Sequence, residues 1–182
     1  QPLEPRKMWP GGAFGTRGRI PAGAMAEPGR VLAYADAPEW RELLSAATAG
    51  RPHARAEIAA AAVRVLADWG RSGAPRPELI FSLDCRGGEL AADIAQRLRT
   101  LGRRDGGVFP VTPGALPGRD DTGPAEAVYW RDHLGPAPQT DGAVVLLVTD
   151  ASSSGWPITL AAAALREAGA AAVLPLLIHR TV

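Results

Sequence analysis

The chain has 182 residues, 46% of them hydrophobic, which suits one domain with an appendage or one large domain. Its formal net charge of +1 excludes a global field that would draw in nucleic acid or acidic substrates. A single cysteine, Cys85, excludes an internal disulfide and a cysteine-built zinc site within this chain, and His53, His133 and His179 show no metal-ligand spacing.

Lys7 is the only lysine among 20 basic residues, and Ala, Gly and Pro are abundant, a bias expected of GC-rich coding DNA. No window holds the roughly 18 uninterrupted apolar residues of a membrane span. The opening QPLEPRKMWPGG lacks the apolar core of a signal peptide. The expectation is a cytoplasmic protein without a membrane partner. Because the chain starts at Gln1 and not at Met, it is expected to be a piece of a longer polypeptide.

Residues 1–37 are rich in Pro and Gly and read as an irregular basic arm or linker. Two readings stand side by side: a solvated linker, or an arm that follows phosphates. In the second, Arg6, Lys7, Arg17 and Arg19 meet the backbone of a nucleic acid, and Trp9 or Phe14 stacks on a base.

Residues 38–182 read as an α/β domain, with a helical part over 38–72 and βαβ units over 78–111 and 143–178. Trp40, Leu43, Leu44 and Ala47 predict a short helix over Pro38–Ala49. Ile58, Ala62, Val65, Leu66 and Trp69 predict a longer one over Arg55–Trp69. Both tryptophans are expected in the core, and His53 on the surface. A strand is predicted at Glu78–Leu83, a loop at Asp84–Gly88, a helix at Glu89–Leu101 and a strand at Val108–Val111. Thr112–Gly123 reads as a loop carrying the solvated pair Asp120 and Asp121, and Ala125–Leu134 as a short helix. Val144–Val148 is apolar without alternation, as in a strand buried on both faces. The polar turn Thr149–Gly155, a helix opened by Pro157 and ended at Gly169, and a strand at Ala171–Ile178 follow.

Strands alternating with helices imply a parallel sheet covered on both faces. Ligand sites in such folds lie beyond the carboxyl ends of the strands. Asp84–Gly88 and Thr149–Pro157 meet that condition and are expected to share one rim. In the second loop, Ser152, Ser153 and Ser154 offer hydroxyls, Gly155 offers room, and Asp150 can accept from ribose hydroxyls: a phosphate-sugar cradle. The plainer reading is a turn whose serines cap the next helix. In the first loop Arg86 can reach an anion, and Cys85 reads as an inert, buried or half-buried thiol. Trp156 either covers the end of the sheet, or stacks on a base or wedges against another domain.

VVLLVTDASSSGWPIT resembles the phosphoribosyl-pyrophosphate loop of type I phosphoribosyltransferases, in which a hydrophobic strand leads to two acidic residues, small residues and a helix. Asp150, Ser154 and Gly155 occupy matching positions. Thr149 stands where the first acidic residue belongs, and Pro157 stands where a phosphate-binding Thr belongs and removes an N–H donor. The resemblance thus implies a degenerate phosphate loop with no catalytic residue of its own. The longer phrase GWPITLAAAALREAGAAAVLPLLI, with EPRKMWP and GRIPAGAMAEPGRVLA at the other end, resembles the C-terminal region of bacterial RecQ-like superfamily II DNA helicases. That resemblance implies an accessory domain of a DNA-repair helicase. Its partners would be DNA and the motor domains of the same polypeptide, and ATP, Mg²⁺ and Zn²⁺ would belong to the upstream part. The alternative is a phosphoribosyltransferase that uses phosphoribosyl pyrophosphate.

Overall fold

The computed structural model describes residues 1–11, 14, 17–34, 37–112, 114 and 123–182; Asp120 and Asp121 lie outside them. In chain order the elements are β1 (Pro2–Leu3), β2 (Gly29–Tyr34), α1 (Pro38–Thr48), α2 (Pro52–Arg71), β3 (Leu79–Leu83), α3 (Leu90–Gly102), β4 (Asp105–Val108), α4 (Gly123–His133), β5 (Val144–Ser152), α5 (Trp156–Glu167) and β6 (Ala172–Arg180). The strands form one sheet in the order β1-β2-β6-β5-β3-β4. Only the short β1 runs antiparallel to its neighbour. The chain is an α/β protein with a mostly parallel sheet flanked by helices, as the alternating pattern predicts.

β5 and β6 lie in the middle of the sheet, and β5 shows why its sequence lacks polar alternation. Leu146 and Val148 face the core shared with α1, α2 and α3, whereas Val145 and Leu147 face the core shared with α4 and α5. All four side chains are fully buried. A strand covered on both sides gains apolar burial from every residue, so polar residues have no place on either face. Proline at the first turn starts α1, α2 and α5, where its missing N–H costs no helical hydrogen bond.

Three expectations need correction. The stretch expected to be an arm contributes to the sheet: β2 pairs in parallel with β6, with Arg30 opposite Leu176 and Ala33 opposite His179. Val31 and Ala33 are buried, as is Ile20 before them. The physical reason is β6, nine residues long and apolar, whose outer edge would otherwise present unpaired backbone groups. Other described residues of the arm are held as well. Met8 bridges Arg19, and the N–H groups of Trp9 and Ile20 donate to Gly18 and Lys7 carbonyls at 2.8 Å each.

The second correction is β4, which starts at Asp105 and ends at Val108 rather than spanning Val108–Val111. Gly106 lies so close to Ile80 that a Cβ would overlap the Ile80 carbonyl, so glycine is what lets this edge strand pair with β3. Phe109, the residue that suggests a strand, fills the core instead. Thirdly, β5 continues through Thr149 and Asp150 to Ser152, which leaves only Ser153–Gly155 before α5.

The path of the chain has one reversal. From β3 it moves outward through α3 to β4, and from β5 it moves the other way through α5 to β6. α3 packs on one face and α5 on the other. Between the carboxyl ends of β3 and β5 the crossovers therefore diverge, and there a doubly wound sheet opens its crevice.

Candidate functional site

Asp150, near the end of β5, stands at that crevice and is 4% exposed. Its two oxygens are turned across it, accepting the N–H of Cys85 at 2.8 Å and of Arg86 at 2.9 Å. The carboxylate stitches the loop after β3 to the strand beside it. Burial raises its pKa, while the N–H groups of Cys85, Ala151 and Arg86 and the Arg86 charge oppose that rise. The group expected to receive ribose hydroxyls is thus occupied with backbone donors. Thr149 is fully buried and its hydroxyl has no partner among the described residues. A carboxylate at that position would be buried without a partner.

Asp84, at the other side of the crevice, was not singled out by the sequence. Its oxygens accept the N–H groups of Ala91 at 2.7 Å and Ala92 at 3.0 Å, so it caps α3 from six residues before the helix starts. That spacing matches no capping signature, and nothing in the sequence marks it. Burial pushes its pKa up to about 6, against the pull of the two N–H groups. Cys85 between the two acids is buried, as one of the sequence readings has it, with a pKa held well above the ordinary value by burial and then by both carboxylates. Arg86 reaches past β5 to the Thr181 hydroxyl at 3.3 Å. Its charge also contributes, after burial, to lowering the pKa of His179.

The loop before α5 is closed by its own serines. The Ser152 hydroxyl accepts the N–H of Gly155 at 3.0 Å, and the Ser154 hydroxyl accepts that of Trp156 at 3.2 Å. Ser154 also donates to Glu126 on α4 at 2.6 Å. Gly155 itself has φ 76°, the left-handed conformation that turns the chain into the helix. Ser153 alone of the three serines is exposed and carries no side-chain hydrogen bond among the described residues. These are the contacts of a capped turn, the plainer of the two readings.

Arg6 completes this loop from the N-terminal segment. Its Nε donates to the Ser154 carbonyl at 2.8 Å, and its guanidinium carbon lies 4.0 Å above the Trp156 ring. Burial lowers its pKa, with Glu126 opposing and Arg180 adding to the effect. Arg6 and Arg180 share a cavity of about 60 Å³ with the serine loop, too small for a sugar phosphate. The side of Trp156 toward the N-terminal segment borders a larger cleft of about 440 Å³, lined also by Arg6, Lys7, Trp9 and Arg17. Lys7, Arg17 and Arg19 are exposed, and Trp9 is half-buried, stacked on Phe14 at 5.8 Å. Three of the four cations expected to meet nucleic acid therefore converge on one cleft with Trp9. Arg19 does not line it and pairs with Met8, which does. Trp156 itself is 3% exposed and its indole N–H has no partner among the described residues.

Among the described residues, no three His, Cys, Asp or Glu side chains are grouped to hold a metal ion, and no helix is long and apolar enough to cross a membrane. No protein-family profile matches the chain, and no curated protein matches it at a significant level.

Proposed function

We propose that this chain is a non-catalytic accessory domain of a RecQ-like ATP-dependent DNA helicase that contacts DNA through its docked N-terminal segment. The observation that carries the DNA contact is the cleft in which Arg6, Lys7 and Arg17 meet Trp9 beside Trp156. Cations that track phosphates and an aromatic face that stacks on a base are the two parts of a sequence-tolerant single-strand site. The absence of catalysis is supported by the crevice between β3 and β5, where Asp150 spends both oxygens on backbone N–H groups. Parentage in a helicase is supported by the phrases at both ends of the chain, and the cytoplasm, on the chromosome, would be its place of work.

Fluorescence anisotropy with labelled single-stranded and forked DNA tests the contact. The expected result is binding at low salt that weakens as salt rises. Each of Lys7→Glu and Arg17→Glu lowers the salt slope by about 1. Absence of binding at low salt, or binding that both variants leave unchanged, defeats the reading. Calorimetric titration with phosphoribosyl pyrophosphate and Mg²⁺ is expected to give no heat; a saturating signal would favour the transferase alternative.

A further inference from the structure

The opposite end of the sheet holds a groove that neither the serine loop nor the DNA-binding cleft uses. Between the last turns of α2 and α3, over the starts of β3 and the central strands, lies a hollow of about 580 Å³. Its floor is apolar, built from Trp69, Ile80, Leu98 and Leu174 among others. Two large apolar side chains stand exposed at its lips, Val63 at 41% and Leu101 at 69%. Its lining contains two charged residues, Arg76 and Arg104, and no acidic one.

Those two arginines differ from Arg99 in the last turn of α3. The Arg99 guanidinium donates to the Ile80 carbonyl at 3.0 Å and to Gln96 at 2.7 Å. Among the described residues Arg76 and Arg104 have neither an ion pair nor a side-chain hydrogen bond. Trp69 in the floor is 5% exposed, and the Arg30 guanidinium lies 5.0 Å from its ring centre. A preformed apolar hollow with unpaired cations at its mouth is complementary to one chemistry, apolar side chains flanked by carboxylates. A nucleic acid strand would satisfy the arginines and leave the leucine floor without a partner. A neutral apolar segment would fill the floor and leave the charges unanswered.

We propose that this groove docks a short acidic segment of a partner protein, with leucine- or phenylalanine-type side chains in the hollow and carboxylates against Arg76 and Arg104. The mode is that of an amphipathic segment laid in a groove, anchored by two or three apolar residues. This site lies at the amino ends of the strands, away from the cleft at Arg6–Trp9, so its test stands or falls independently of DNA binding.

The test is selection of a displayed random-peptide library on the intact chain, followed by anisotropy of the winning peptide. Acidic peptides with interspersed large apolar residues are expected to enrich. The Arg76→Glu variant and the Leu101→Asp variant, both at exposed positions, are each expected to weaken the winning peptide about tenfold. Thermal melts identical to wild type for Arg76→Glu show that the loss is local. The proposal is overturned if nothing enriches, if the enriched peptides lack acidic residues, or if both variants bind as wild type does. Sedimentation showing a dimer that Leu101→Asp dissolves also overturns it, because the occupant is then a second copy of this chain.

Discussion

The two loops at the crevice end their strands in the same way and are held by opposite means. The loop after β3 is organised by carboxylates: Asp84 caps α3 and Asp150 reaches over from β5 to take the N–H groups of Cys85 and Arg86. The loop after β5 is organised by hydroxyls and a cation: Ser152 holds the N–H of Gly155, Ser154 holds that of Trp156 at the start of α5, and Arg6 clamps the Ser154 carbonyl. Asp84 and Asp150 thus both serve one loop, and the carboxylate at the loop that reads as a phosphate cradle is Glu126 from α4, which takes the Ser154 hydroxyl. The difference teaches that an acidic residue beside a serine-rich turn need not face the same ligand. Neighbouring strands can divert it to satisfy backbone donors that burial has cut off from water.

The largest effect expected from this contrast is at Asp150. Asp150→Ala orphans two backbone N–H groups, one of them buried, and should cost about 3 kcal/mol in urea unfolding. Asp150→Asn retains one acceptor oxygen and should cost less. If Asp150→Ala proves neutral, the stitch is incidental and the carboxylate is again available to a ligand. Arg6→Ala removes a charged hydrogen bond and a cation–π contact from the other loop, and should cost about 1.5 kcal/mol. It should also speed protease cleavage within residues 1–20, a readout that Asp150→Asn leaves unchanged.

Acidity should separate the loops next. The folded-state pKa of Asp84 is about 6, above its ordinary 3.8. The folded chain therefore holds that proton more tightly than the unfolded one. The associated stability is fully present below pH 3.8 and is lost as pH rises through 6. Burial moves Asp150 in the same direction. Asp84 is only partly buried, so after allowance for solvent screening the loss is about 1 kcal/mol. Denaturation of wild type and Asp84→Asn from pH 4 to pH 7 should show a smaller decline in the second, the remainder being that of Asp150. The smallest effect should be that of Ser152→Ala, about 0.5–1 kcal/mol and independent of pH, since its hydroxyl does not titrate in this range.

Much of the architecture was legible in the chain. The apolar run at Val144–Val148, the prolines opening α1 and α5, and the periodic faces of α2 and α3 are local signals, each contained in one segment. β2 was harder to see because Gly29–Tyr34 follows a Pro/Gly-rich stretch, and its value as a strand comes from the bare edge of β6 far along the sequence. β4 was misplaced because glycine is a poor strand former by composition, yet Gly106 is what permits the close approach to Ile80. Of the candidate site residues, the serines and Arg86 stand at the rim as expected. The partners of Ser154, Arg86 and Asp150, which are Glu126, Thr181 and the Cys85 backbone, were invisible, because those contacts join residues from 28 to 95 positions apart.

By itself the sequence determined the α/β class, the order of the elements from α1 onward and the positions of the two rim loops, because periodicity and helix punctuation act within a few residues. Which groups at the rim remain open to a ligand was decided only by the tertiary structure. The sheet sets Asp150 against the N–H groups of a loop 64 residues away and lays Arg6 on a turn 148 residues away. A buried donor takes the nearest acceptor in space, whatever its distance along the chain.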